Sequence, residues 1–198
     1  MTSTSTPRTC CPASPRGSVS PSRSSAPSTR SSADLGSTGM PSSAIFSAAF
    51  VRTPEGWSGA EVDLGDAEIV DDLGDAVQES LGLTGDELAL LCVEVEDEWF
   101  AIARYRGDEE PRVFLSDAQA GLAGPLGELF AEFAGVAPDR ENPDLGVRPA
   151  GDFELLSDFG VSKEELLELS MEEGVLPADI LSVIAERLAF ADELDRLR

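Results

Sequence analysis

Three apolar runs separated by short acidic turns constrain this fold more than any other feature of the sequence. The runs occupy residues 88–95, 99–106 and 111–115. Asp97-Glu98 turns the chain after the first run, and residues 107–110 turn it after the second. In the first run Val93 and Val95 alternate with Glu94, which predicts one inward-facing and one outward-facing surface. We therefore expect a three-stranded antiparallel meander.

Further strands and helices are predicted around this meander. Residues 45–52 resemble a strand, and a Pro-Gly turn leads to a second, short strand within residues 57–64. Four apolar residues spaced by four predict a helix between these strands and the meander: Ile69, Leu73, Val77 and Leu81. Its solvent side would carry Asp71, Asp72, Asp75 and Glu79. A further helix is expected around residues 118–133. The fold class is therefore α+β, with an antiparallel sheet in the order β-β-α-β-β-β.

The last part of the chain, residues 152–198, is predicted to be helical and packed on the α+β domain. Ser162 and Glu165 match a capping box, and Pro177 suits a first helical position. Gly174 is expected to end the first helix. A second apolar stripe, Leu181, Ile184, Leu188 and Ala191, predicts the next helix.

The domain organisation follows from composition. Residues 1–44 contain 14 Ser, 6 Thr and 6 Pro, with four arginines and one acid, so the first 43 residues are predicted to be a disordered tail. We expect Met40 to be the true start; a genuine tail and a transit peptide are the alternatives. The α+β domain would span residues 44–135, followed by a Gly-, Pro- and Asp-rich linker over 136–151.

Composition excludes several classes of function. The formal net charge of −24 opposes unaided binding to nucleic-acid phosphates. The chain has no histidine, so it cannot form any catalytic site that depends on a histidine side chain. Its cysteines, Cys10, Cys11 and Cys92, have no C-x-x-C spacing and support neither a zinc site nor a disulfide framework. No apolar run is long enough to span a membrane. We expect a cytoplasmic protein without catalytic residues, cofactor or metal.

The candidate partner-binding residues lie in and beside the acidic turns. They are Glu96, Asp97, Glu98, Trp99, Asp108, Glu109, Glu110 and Arg112. Their carboxylates would face a basic partner; solvated turns and a divalent-metal site are the alternatives. Because Trp99 and Phe100 are adjacent in a strand, one of them is expected to face away from the core. The first could then anchor an interface or pack beneath the C-terminal helices.

Two other motifs carry weaker hypotheses. Arg104, Arg106 and Arg112 gather on adjacent predicted strands, where they would neutralise cross-strand carboxylates or form an anion site. Residues 158–160 match the magnesium-binding Asp-Phe-Gly of kinases. The chain lacks the accompanying His-Arg-Asp loop and a glycine-rich nucleotide loop, so we interpret this match as coincidence.

Four segments resemble one known family. Residues 97–102, reading DEWFAI, precede DEEPRVFLSDA at 108–118, and LPADIL begins at Leu176. With AAFVRT at residues 48–53, these segments resemble the tRNA adenosine deaminase-associated proteins of actinobacteria over residues 44–195. The resemblance implies association with the deaminase and transfers no catalytic residues.

The chain itself is not predicted to be that deaminase. A zinc deaminase needs H-x-E and P-C-x-x-C motifs, and neither is present. The sequence therefore favours a non-catalytic acidic accessory protein whose partner is the basic-surfaced deaminase in tRNA modification. The alternatives are a small hydrolase or transferase using a carboxylate-bound divalent metal, and an inhibitor that imitates nucleic acid.

Overall fold

A computed structural model describes residues 45–107, 109–143 and 146–198. The predicted tail and Met40 lie outside these residues. The strands are β1 (Ile45–Thr53), β2 (Gly56–Glu61), β3 (Leu88–Val95), β4 (Trp99–Arg106), β5 (Arg112–Leu115) and β6 (Ala150–Gly151). The helices are α1 (Val70–Leu81), α2 (Pro125–Phe133), α3 (Lys163–Ser170), α4 (Pro177–Leu188) and α5 (Ala191–Leu197).

All six strands form one antiparallel sheet in the order β2-β1-β3-β4-β5-β6. The α+β class, the antiparallel sheet and the predicted succession of five strands and α1 along the chain are confirmed. The short strand β6 adds a sixth member, because Ala150 and Gly151 pair with Leu115 and Phe114. The boundaries proposed for the domain, the linker and the helical region stay predictions.

One face of the sheet is covered by the C-terminal helices. Phe50, Cys92 and Ile102 lie on this face and share a buried cluster with Leu166 of α3 and Ile184 of α4. Cys92 is buried, as expected for a core residue, and burial raises the pKa of its thiol to about 12.

The opposite face is covered by α1 and α2. Leu91 and Ala103 on this face pack with Leu73 and Val77 of α1 and with Phe130 of α2. The buried Leu73 and Val77 belong to the predicted stripe of α1. Both faces of the central strands are therefore covered, and the molecule has three layers.

This two-sided covering corrects one prediction. Trp99 and Phe100 do project to opposite faces, but both are buried, with 2% and 1% of their surface exposed. Trp99 contacts Phe130 of α2 at a centroid distance of 5.9 Å, and Phe100 packs on Phe114 at the same distance. Trp99 therefore does not lie beneath the C-terminal helices. The prediction was wrong because it assumed that only one face of the sheet was covered.

The starts of α3 and α4 agree with the capping residues predicted from the sequence, but the end of α3 does not. Ser162 caps α3 by accepting from the amide of Glu165, and Pro177 begins α4, as predicted. The carboxylate of Glu165 reaches Arg187 instead, at 3.0 Å. The helix α3 ends at Ser170, before the expected Gly174.

Two expected helices are interrupted. The chain over 118–133 forms a 3₁₀ turn and then α2, with Gly124 before the first helical residue. The stripe ending in Ala191 is divided between α4 and α5, because Ala189 adopts a left-handed conformation with φ of 63°. Among the described residues, no helix is both long and apolar enough to cross a bilayer.

Candidate protein-binding surface

The two acidic turns named by the sequence lie at opposite ends of the sheet. One turn joins β3 to β4, and β4 runs the full length of the sheet before the second turn begins. Eight extended residues span about 25 Å. Glu96, Asp97 and Glu98 are exposed at one end, and Glu109 and Glu110 at the other. The structure therefore does not bring the two groups together, and Asp108 lies outside the described residues.

The remaining two candidate residues are engaged within the fold. The ring of Trp99 is part of the core between β4 and α2. Arg112 is half-buried and donates from Nε to the carboxylate of Asp152, just after β6. This bond is the first cause of the lowered pKa of Asp152. Neither Trp99 nor Arg112 belongs to the partner-binding surface that we propose.

A larger acidic surface surrounds α1. Residues 53–103 contain fifteen acids and no lysine or arginine. Nine of these acids fall within residues 62–87, the segment that forms α1 and its two connections. Seven of the nine are exposed: Asp63, Asp66, Glu68, Asp71, Asp75, Glu79 and Asp86. Among the described residues, none of the nine forms an ion pair. We call residues 62–87 the acidic layer.

Local structure orients these carboxylates. Asp72 accepts hydrogen bonds from the amides of Glu68 and Ile69, at 2.8 and 2.9 Å, and so closes the first turn of α1. These bonds, led by the one from Ile69, lower the pKa of Asp72. A shallow cleft of about 340 Å³ lies beside it. The cleft is lined by Asp63, Asp66, Ala67, Asp72, Asp75, Ala76 and Glu79.

The cations of the meander are turned to the other face and are paired. Arg104 is 8% exposed and binds Asp158, while Arg106 lies 3.9 Å from Glu109. The carboxylates come from loops rather than from neighbouring strands, so the expected cross-strand pairing is wrong. The bond from Arg104 is also the first cause of the lowered pKa of Asp158.

The acid in β3 is paired as well. Glu94 was expected to face solvent, but its side chain is 14% exposed and lies 2.8 Å from Arg198. Burial raises the pKa of Glu94, and Arg198 opposes that shift. Glu94 therefore belongs to the packing of the C-terminal helices.

The described residues contain no group of three or more carboxylate, thiol or imidazole side chains arranged to hold a metal ion.

Most of the described chain matches one known protein family. A family profile described as Rv3753c-like tRNA adenosine deaminase-associated protein matches residues 45–191. The chain belongs to this family. The match covers β1 to the first residue of α5 in this tRNA adenosine deaminase-associated protein. It confirms the resemblance predicted from the sequence. No curated protein matches the chain, and no solved structure does.

Sequence reasoning missed the acidic layer as one surface of this family member. The available signal was the run of 51 residues without a cation between Arg52 and Arg104. The acids of this run are spread over α1, its connections and one of the acidic turns, and those of α1 were predicted to face solvent. An antiparallel meander also places consecutive turns at opposite ends of the sheet, so the separation of these two turns was predictable from the succession of strands.

Proposed function

We propose that this protein is a non-catalytic accessory protein that binds tRNA adenosine deaminase through the acidic layer. The observation that carries the proposal is the separation of charge. The acidic layer holds nine carboxylates without a cation or an ion pair among the described residues, whereas the meander arginines are paired on the other face. The family description supports the identity of the partner.

The chemistry of the partner follows from this charge. An enzyme that binds tRNA needs positive surface for phosphate contacts. An acidic surface steers association with such a partner and raises the rate of encounter, most strongly at low salt. By the same argument the accessory protein does not bind tRNA itself. The turn acids Glu96–Glu98 and Glu109–Glu110 would add to the field around the layer.

The proposal is tested by measuring binding to the purified deaminase by calorimetry at low and high salt. We expect binding that weakens steeply as salt rises, because exposed charges are screened within about 10 Å at 0.1 M salt. A variant of α1, Asp71→Asn with Asp75→Asn and Glu79→Gln, removes three charges. At about 0.5 kcal/mol for each exposed pair, affinity would fall about tenfold.

A matched control removes three exposed charges from the other side of the molecule: Glu164→Gln, Glu168→Gln and Glu172→Gln. This variant is expected to bind within about twofold of wild type, since it changes net charge equally but not the layer. Equal losses of affinity in the two variants would show that binding depends on net charge and not on the acidic layer. Absence of binding by the wild-type protein would overturn the proposal.

Two further variants assign the acidic turns. One neutralises Glu96, Asp97 and Glu98, and the other neutralises Glu109 and Glu110. A loss of affinity places the corresponding turn in the interface. A deamination assay on tRNA with and without the protein then separates support of the enzyme from occupation of its RNA channel.

A further inference from the structure

One isoleucine is exposed within the acidic layer. The sequence predicted that Ile69 would begin the apolar stripe of α1, but the structure places it just before the helix, with 57% of its surface exposed. Of the large apolar side chains exposed among the described residues, only Ile69 lies within residues 62–87. Ala67 and Val70, on either side of it, are half-buried and pack against the core beneath α1. Ile69 therefore contributes less to that core than its neighbours do.

The position of Ile69 favours a polar residue. Ile69 is the N-cap residue of α1, where Ser, Thr, Asp and Asn are preferred because their side chains accept from the amides of the first turn. Isoleucine has no acceptor, and its side chain makes no capping hydrogen bond. Asp72 supplies only the reverse bond, by accepting from the amide of Ile69 at 2.9 Å. The stability of α1 alone would therefore be served better by threonine at this position.

Carboxylates lie around this apolar side chain. Glu68 and Asp71 are exposed on either side of it in the chain. Asp72, which binds the amide of Ile69, lines the shallow cleft of α1 together with Ala67 and four other acids of the layer. The region thus has an apolar centre and a charged rim, which is the arrangement found in protein–protein interfaces.

We propose that Ile69 is the apolar anchor of the acidic layer and inserts into an apolar pocket on the positively charged surface of the partner. The inference rests on the function proposed above, because it concerns the same surface and the same partner. The charge of the partner follows from the layer, whose nine carboxylates need a basic surface opposite them. The carboxylates around Ile69 would bind the rim of the pocket and exclude water from the anchor.

The contribution of the anchor follows from the surface that it exposes. Burying the exposed part of an isoleucine against a partner would strengthen binding about tenfold. Salt screens the attraction between exposed charges, whereas it does not weaken the burial of apolar surface. Removal of the anchor should therefore cost the same affinity at low and at high salt. Neutralisation of the α1 acids should cost less affinity as salt rises.

The anchor is tested on the full chain by calorimetry with the purified deaminase at both salt concentrations. Ile69→Thr should bind about tenfold more weakly at each concentration. Ile69→Val removes a single methyl group and should bind about threefold more weakly. The unfolding temperature of Ile69→Thr should equal or exceed that of wild type, because threonine supplies the capping acceptor that isoleucine lacks.

Leu176→Thr is the matched control. Leu176 is also an N-cap residue without a capping bond, at the start of α4, and it is 45% exposed. It lies outside the acidic layer. The same substitution there should change affinity by no more than about twofold.

The outcomes separate this inference from the proposed function. If wild type does not bind the deaminase, both are wrong. If wild type binds but Ile69→Thr binds equally well, or Leu176→Thr loses as much affinity, the acidic layer remains the interface and Ile69 is not its anchor. A loss in Ile69→Thr that disappears at high salt would overturn the apolar contact. A lowered unfolding temperature that accompanies the loss would assign Ile69 to the fold and would also overturn the proposal.

Discussion

Arg104 donates from both terminal nitrogens to the two carboxylate oxygens of Asp158, with a nitrogen–oxygen distance of 2.7 Å in each bond. A third bond joins it to the carbonyl of Leu155 at 2.8 Å. The guanidinium also lies 5.2 Å from the ring centre of Phe159. These contacts tie β4 to the segment before α3. They give the Asp-Phe-Gly sequence a structural role, in agreement with its interpretation as a coincidental match to kinases.

Replacing Arg104 by Met should destabilise the protein by about 2 kcal/mol, because two charge-assisted bonds and a carbonyl partner are lost from a buried side chain. Urea unfolding measures the change. Arg106→Met is the control: its ion pair is long and exposed, so the expected loss is below about 0.5 kcal/mol. Similar losses in both variants would contradict the importance of the Asp158 pair.

The same pair predicts a pH dependence. Arg104 lowers the pKa of Asp158 below its value in the unfolded chain. A lowered pKa stabilises the fold at pH values above the unfolded pKa, near 3.9, and this stabilisation is lost as pH falls through the folded pKa. The stability difference between wild type and Asp158→Asn should be constant above about pH 5 and shrink as pH falls below the unfolded pKa, near 3.9. Urea midpoints across this range test it; a difference that grows on acidification would refute it.

Two glycines in helices should respond oppositely to alanine. A Cβ at Gly127 would collide with the carbonyl oxygen of Ala120, whereas one at Gly74 meets only the Tyr105 ring, at 3.4 Å. Gly127→Ala should cost about 1–3 kcal/mol through overpacking. Gly74→Ala should stabilise α1 by about 0.5–1 kcal/mol. Thermal unfolding of both variants checks the pair, and equal effects would contradict the close approach of the 3₁₀ turn to α2.

The outer edge of β2 is closed by two side chains of α5. Glu193 accepts from the amide of Gly59 at 3.4 Å, and Arg196 donates to the carbonyl oxygen of Gly59 at 2.7 Å. Glu193 and Arg196 thus occupy the backbone N–H and C=O of Gly59, which could otherwise pair with a strand of another molecule. Replacing both residues by Ala should speed hydrogen exchange of the Gly59 amide about tenfold or more.

The same variant should self-associate at high salt, where repulsion between acidic chains is screened. Sedimentation measures the association. Asp195→Ala, at an exposed position on the same helix, is the control. Unchanged protection of Gly59 would show that α5 does not guard this edge.

Most strands and helices were predictable because they depend on patterns within short stretches of sequence. Alternation over residues 88–115 and the spacing of Leu73 and Val77 identified strands and a helix without knowledge of the rest of the chain. The start of α3 at Ser162 followed from side-chain chemistry within one turn. The break at Ala189 was not predictable, since alanine is a strong helix former and only surrounding packing holds it at positive φ.

The amino-acid sequence alone was enough to predict the family, the succession of five strands along the chain and the surplus of carboxylates. Tertiary packing covers both faces of the sheet, which the sequence did not reveal, and buries both Trp99 and Phe100. It also selected Asp158 as the partner of Arg104, 54 residues away, and placed the acidic turns far apart. Propensities and caps act within a few residues, whereas these contacts form only when distant segments pack together.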